Sequence, residues 1–338
     1  MIALCDRPAV LGAIDRARAV SLAAYILPPS VTAHLAAAAR RGARVELALT
    51  RYPVGATQAE RWALADANRA AVEAVRRAGG HAVLASPRDP LHLKGVLIDR
   101  RTAFLDDRNW ADDGAQTIVR DDDPADVAVV RAALERRPAG NAHLQTVKPR
   151  SLALERSAIA AAGAEPLEVE SESFGIGPIY DELVLRAAAK APTRLLVAQR
   201  ELAEARARAA VPGARTPSEL RALDRLAGAG VEVRVTAAAE KMAVGPARAW
   251  VGSSNATRDW GSTARQLDWG MCVPAGLIGA LRARFAQTWS AALPYVPSSP
   301  LRNEERSANA HHASAPSTTS ATESKCRTGS SVRSAART

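Results

Sequence analysis

Residues 35–49, LAAAARRGARVELAL, and residues 220–235, LRALDRLAGAGVEVRV, read as one helix-turn-strand unit written twice. In each, a run of helix formers stops at glycine (Gly42 in the first, Gly228 and Gly230 in the second). Apolar residues then alternate with polar ones, as on a strand. Around the first unit the spacing predicts an apolar strand over 20–27, the helix over 30–41 and the strand over 44–49. A long helix over about 57–77 follows, ended by Gly79 and Gly80, then strands over 81–84 and 91–98. Around the second unit it predicts a helix over 179–190, a strand over 193–198, the helix over 217–226 and the strand over 231–235. Strands separated by helices of this length predict an α/β fold with a parallel or mixed sheet. The recurrence predicts an internal duplication of about 130–150 residues. The chain divides on this reading into a first lobe over 1–148, a linker over 149–166, a second lobe over 167–296 and a tail over 297–338.

The composition fits that reading and excludes others. With 338 residues, 47% hydrophobic and 24% charged, the chain is globular and long enough for two domains. No apolar run approaches the ~18 residues of a membrane span. Asp6, Arg7, Asp15, Arg16 and Arg18 break up any signal-peptide core, so a cytoplasmic chain is expected. Cys5, Cys272 and Cys326 are odd in number and form no CxxC pair, which argues against a disulfide framework or a structural zinc site. The tail holds fifteen Ser or Thr and only Leu301 and Val332 as large aliphatics, so it is expected to be disordered, with His311 and His312 solvated. The net charge of +10 comes from 40 arginines and only five lysines, a bias that reflects coding composition. A positive field suits an anionic substrate without identifying one.

Against that scarcity, two lysines fall at equivalent places in the two copies. Lys94 precedes Asn109 by 15 residues and Lys241 precedes Asn255 by 14, in a chain with six asparagines. The first copy reads His92-Leu-Lys94-Gly-Val-Leu-Ile-Asp99. On a strand, His92 and Lys94 point the same way. An imidazole beside an ammonium suits attack at phosphorus: the lysine holds non-bridging oxygens while the neutral imidazole attacks. Asp99 is the carboxylate available to orient the ring.

These residues resemble the signature of the phospholipase D superfamily, His-x-Lys-x4-Asp followed by Gly-Ser-x-Asn. The resemblance spans roughly residues 1–296 and includes Gly252-Ser253-Ser254-Asn255 in the second half. It implies two phospholipase D-like lobes, each a mixed β-sheet flanked by helices, related by pseudo-two-fold duplication. One active site lies at their junction, with no metal or cofactor and a covalent phosphohistidine. On that basis His92, Lys94 and Asp99 are the catalytic candidates. Asn109, Lys241, Ser253 and Asn255 are the phosphate-binding ones, and Asp268 is a possible acid or orienting group.

The second motif departs from the pattern. Ala239 stands in place of its histidine, Pro246 in place of its aspartate, and strand alternation turns Glu240 away from Lys241. In the first copy Asp106-Asp107 replaces Gly-Ser, two carboxylates that repel a phosphate unless Arg108 or a lysine neutralises them. Trp110, Trp250, Trp260 and Trp269 read as core and cleft packing, and Phe285 with Trp289 as the face of a last helix turned to the sheet. The leading function is a phosphodiesterase hydrolysing or transferring phosphatidyl groups through His92, in peripheral contact with a membrane and monomeric. A nuclease acting by the same chemistry and a phosphate-ester-binding pseudoenzyme are the alternatives.

Overall fold

The computed structural model describes residues 1–54, 57–86, 91–111, 116–257 and 265–298. Trp260, His311, His312, Cys326 and the tail beyond Ser298 lie outside the described residues. The first half runs β1 (Ile2–Cys5), α1 (Arg7–Arg16), β2 (Ala19–Ala24), α2 (Pro29–Arg40), β3 (Arg44–Thr50), α3 (Gln58–Arg77), β4 (His81–Ala85), β5 (Gly95–Ile98), β6 (Thr102–Asp106), β7 (Ile118–Asp121) and α4 (Pro124–Leu134). The helices begin where the residues demand it. Asp6 accepts the Ala9 amide at 2.9 Å and Thr57 accepts that of Glu60 at 3.1 Å, each satisfying a first-turn donor. Gly42 (φ 90°) and Gly79 (φ 94°) end α2 and α3 in the left-handed region that glycine alone enters without strain.

The second half runs β8 (Leu144–Val147), α5 (Lys148–Ala161), β9 (Leu167–Ser171), α6 (Pro178–Ala188), β10 (Thr193–Ala198), α7 (Gln199–Ala209), α8 (Ser218–Gly228), β11 (Glu232–Thr236), β12 (Met242–Val244), β13 (Ala249–Gly252), β14 (Leu267–Val273), α9 (Ile278–Ala291) and β15 (Leu293–Pro294). The stretch 149–166, read from sequence as a linker, is therefore mostly helix α5, and β8 before it pairs with β14 of the second sheet.

The strand orders make the duplication explicit. The first sheet is β1-β7-β6-β5-β2-β3-β4, and the second, read from its far edge, is β8-β14-β13-β12-β9-β10-β11-β15. The two match strand for strand, with three parallel strands continued by an antiparallel meander, and β15 is an addition. The equivalence of 35–49 with 220–235 does not survive this comparison. The first is the α2–β3 crossover, whose counterpart is α6–β10, whereas the second is the α8–β11 crossover. Every parallel crossover needs a helix, a glycine stop and an alternating strand, so local pattern alone cannot number them.

Between the sheets lies one continuous core, with Ala23, Leu97 and Leu105 of the first half packed into the same cluster as Met242, Val251 and Trp269 of the second. Helix α9 packs on the second sheet against β9, β11 and β12. Phe285 and Trp289 stack at 5.5 Å, and Arg194 and Arg234 lie over the Trp289 ring at 5.4 and 4.7 Å. Among the described residues no helix is long and apolar enough to cross a membrane. Truncating Trp289, 8% exposed, to alanine removes this packing. W289A is expected to lower unfolding stability by about 3–5 kcal/mol, read by denaturant titration.

Candidate active site

Lys94 ends an extended approach rather than lying inside a strand, because β5 begins only at Gly95. Residues 91–94 are instead pinned to the other half. Leu91 bridges Leu267, and the His92 amide donates to the Leu267 carbonyl at 2.8 Å. Around the two lysines the hydrogen bonds repeat. The Asp106 amide donates to the Lys94 carbonyl at 2.9 Å, as Gly252 does to Lys241 at 3.2 Å. The Asp107 amide donates to Thr117 at 3.3 Å, as Ser253 does to Trp269 at 2.9 Å. The Thr117 amide donates to the Asp107 carboxylate at 2.9 Å, as Trp269 does to the Ser253 hydroxyl at 3.0 Å. Lys94 therefore corresponds to Lys241, Asp107 to Ser253, and Thr117 to Trp269.

At the junction His92 is held from both sides. Its Nδ1 lies 3.3 Å from the Asp268 carboxylate, contributed by the other half, and Lys94 Nζ lies 3.0 Å from each ring nitrogen. The Tyr25 ring meets the imidazole edge-on at 5.0 Å. Burial, then the Lys94 ammonium, push the His92 pKa below its ordinary 6.5, so the ring is neutral at pH 7. Burial also pushes Lys94 down, with Asp268 opposing and Lys241 assisting, to about 7. Burial alone would raise the Asp268 carboxyl, but His92, Lys94 and Ser253 outweigh it and hold it below its usual value. A neutral imidazole oriented by an ionised carboxylate is a nucleophile with a fixed tautomer.

Lys241, 1% exposed like Lys94, sits between Glu172 at 2.8 Å and the Asp107 carbonyl at 3.1 Å. Burial would lower Lys241, but Glu172 and Asp107 raise it above its ordinary value. Lys241 in turn pulls Glu172 down to about 2. Glu172 follows the end of β9 as Tyr25 follows the end of β2, since Ala23 pairs with Gly95 as Glu170 pairs with Met242. Sequence reasoning missed Glu172. Its signal appears only once the strand pairing of the two copies is known.

Several expected roles change. Asp99 does not orient His92: it stands in the turn at the far end of β5, exposed, with φ 51°, and its carboxylate accepts the amides of Arg18 and Ala19 at 2.8 Å each. The orienting carboxylate is Asp268. Ser253 is fully buried and its hydroxyl donates to Asp268, so it steadies the carboxylate behind His92 instead of facing a phosphate. Asn255 Oδ1 accepts the Ser173 amide at 3.4 Å, beside Glu172, and Asn109 occupies the loop after β6 with φ 69°.

Asp106 and Asp107 do not confront a substrate either. Asp106 accepts the amides of Arg108 and Trp110. Asp107 accepts those of Thr117 and, across the junction, Lys241 at 3.0 Å. Burial raises Asp106 to about 6 and, helped by Glu240 and Asp106, lifts Asp107 well above the carboxylate range. Glu240 faces Thr117 and Arg284 rather than Lys241. Pro246 falls in the turn after β12. Ala239 is buried, and Gln116, the residue before Thr117, stands where the symmetry would put a second Asp268. Trp110, Trp250 and Trp269 are all fully buried, and the Trp269 indole donates to the Asp106 carbonyl at 2.8 Å. Among the described residues no cluster of side chains is suited to a metal ion.

No protein-family model and no curated protein matches the sequence. Solved structures do. The chain is similar to phosphatidylserine synthase from Haemophilus influenzae Rd KW20, with a TM-score of 0.60 over 92% of this chain and 93% of that one at 9% identity. It is also similar to polyphosphate kinase from Porphyromonas gingivalis, with a TM-score of 0.57 over 93% of this chain at 14% identity, and spans 56% of that chain. Nuc, a phospholipase D family member from Salmonella typhimurium, aligns with 40% of this chain and 93% of its own at 19% identity and a TM-score of 0.33. The chain thus shares its two-lobed fold with the phosphatidylserine synthase and the polyphosphate kinase.

Asp99→Ala tests the reassignment of that carboxylate. Two amides lose their acceptor and alanine inherits a left-handed φ, so stability is expected to fall by about 1–2 kcal/mol. Phosphate binding per folded molecule, read by calorimetric titration, is expected to stay unchanged.

Proposed function

We propose that this chain is a phospholipase D-type phosphodiesterase that hydrolyses or transfers phosphatidyl groups through a phosphohistidine on His92. The observation that carries the reading is the His92–Asp268 pair, built from both halves, with Lys94 3.0 Å from the imidazole. The choice of a phosphatidyl group is supported by the phosphatidylserine synthase whose fold spans nearly the whole of both chains. Such a substrate brings the protein into peripheral contact with a bilayer, in this reading from the cytoplasm, and both lobes on one chain favour a monomer.

In the first step the His92 Nε2 lone pair forms a P–N bond as the P–O bond to the headgroup breaks. The leaving oxygen takes its proton from Lys94, whose ammonium, at about 7, is matched to that task. In the second step water or an acceptor alcohol attacks phosphorus, its proton returns to Lys94, and the P–N bond opens to restore His92. Lys241 and Asn109 hold the non-bridging oxygens. A second reading, a phosphate-ester binder without turnover, is favoured by Ala239 and Gln116, which occupy the positions of a second histidine and its carboxylate.

Rapid quench without acid, followed by mass spectrometry, separates the two. With phosphatidylcholine vesicles the wild type is expected to carry phosphate ester on His92. His92→Ala is expected to lose headgroup release by at least about 10³-fold. Adduct formation with single-stranded DNA but not vesicles would replace lipid by nucleic acid as substrate, and no adduct with either would leave only the binder.

The pH profile is a separate check. His92 attacks as the neutral ring, so kcat/KM is expected to rise with pH through a limb below 6.5. Lys94 acts as the ammonium, so the rate is expected to fall through a limb near 7. Lys94→Arg, which stays charged but cannot give up a proton near pH 7, is expected to lower kcat by about 10²–10⁴-fold and to leave no alkaline limb in the residual rate.

A further inference from the structure

The first sheet carries a cavity of about 400 Å³ on the face of β3 and β4 that α4 leaves uncovered. It opens away from His92: Arg100, on its rim, follows Asp99 in the turn at the far end of β5. Ala48, Val83 and Leu97 form an apolar floor, and Arg44, Arg100, Arg131 and Arg136 line the rim. The two carboxylates there are already engaged. Glu46 binds Arg44 at 2.6 Å and the Ser21 hydroxyl at 3.0 Å, and Glu135 holds Arg137. Four guanidiniums against two carboxylates leave the rim cationic.

The duplication shows what such a surface is built to hold. Ala48 pairs with Val83 on β3 and β4 as Leu196 pairs with Arg234 on β10 and β11, and Glu46 takes the place of Arg194. Over that face of the second sheet lies the Trp289 ring, with two guanidiniums stacked on it at 4.7 and 5.4 Å. In the first half α4 ends at Leu134 before reaching the equivalent place, and the cavity stands there instead. A flat ring thus fills in one copy the place that the other leaves open, while the positions of its two guanidiniums carry Glu46 and Val83 and the arginines at the cavity come from elsewhere.

We propose that the cavity binds a small aromatic anion of the nucleoside monophosphate class, its base on the floor of Ala48, Val83 and Leu97 and its phosphate among the rim arginines. The volume lies in the range of small-molecule sites, roughly 300–1,000 Å³. Guanidiniums recognise both halves of such a ligand, stacking on the ring and pairing with phosphate oxygens. This site is independent of the chemistry at His92.

Calorimetric titration of the full chain with adenosine 5′-monophosphate, adenosine and ribose 5-phosphate tests it. The nucleotide is expected to bind at least about tenfold more tightly than either half, because only it uses both floor and rim. Val83→Trp, which fills the cavity from the edge strand, and Arg131→Glu, which reverses an exposed rim charge, are each expected to weaken nucleotide binding by about tenfold or more. Lys241→Met, at the other site, is expected to leave it within about twofold. Should Val83→Trp fail to fold, the surface variant Arg131→Glu decides alone. Binding lost in Lys241→Met but kept in Arg131→Glu, or no binding at about 10 mM nucleotide, overturns the proposal. So does a concentration-dependent dimer that Val83→Trp dissolves, which would give the face to a second copy.

Discussion

Two lysine ammoniums buried side by side at the junction of the lobes are the constraint on which the rest of the site depends. Lys94 and Lys241 are each 1% exposed, and a lone buried charge costs several kcal/mol unless it is compensated. The compensation is unequal. Lys241 has Glu172 at 2.8 Å and a carbonyl, and stays charged. Lys94 has the His92 ring and carbonyl for close partners and falls to about 7. In the proposed reaction, an anion arriving between the lobes supplies the charge that Lys94 lacks. Binding and charging of that lysine are therefore one event, and the same poise suits it to move a proton.

The asymmetry between the lobes follows a consistent logic. In the first copy the imidazole of His92 and the carboxylate of Asp268 support each other. In the second, Ala239 and Gln116 have lost both members. Losing the histidine alone would leave a buried carboxylate with no cation, a costly arrangement, whereas glutamine keeps the shape without the charge. The Gln116 side-chain amide donates to the Ala111 carbonyl at 3.1 Å, Arg284 donates to the Gln116 main-chain carbonyl, and the side-chain Oε1 is buried without a partner. The second dyad is absent at both of its positions, Ala239 in the second lobe and Gln116 in the first, and the second lobe contributes Asp268, Ser253 and Lys241 around His92.

Much of this was legible in the residues because rare side chains recur. In a chain with five lysines and six asparagines, Lys94 with Asn109 and Lys241 with Asn255 marked both copies, and the strand-helix alternation gave the α/β class. What was not legible depended on three-dimensional pairing. Asp99 has the spacing of a catalytic carboxylate, yet its turn points it at the amides of Arg18 and Ala19. Asp106 and Asp107 look repulsive in sequence, yet backbone amides hold Asp106 Oδ2 and both oxygens of Asp107. Glu172 has no motif at all, and only the register of β9 against β12 reveals it as the counterpart of Tyr25. Side chains that act through sheet geometry leave little trace in linear spacing.

The same register turns the duplication into an internal control. Two sheets with matching strand order start from the same local requirements, so any place where one copy is filled and the other open marks a change made after the copies parted. At the lobe junction the second copy has Ala239 where the first has His92, while each copy has its lysine. On the α4 side of the first sheet the helix is shorter than α9, and Ala48, Val83 and Leu97 lie under arginines particular to that copy. Neither change exposes a broad hydrophobic surface, which would favour association over solubility. In both places the comparison of one copy with its twin, more than any single contact, assigns these residues their parts.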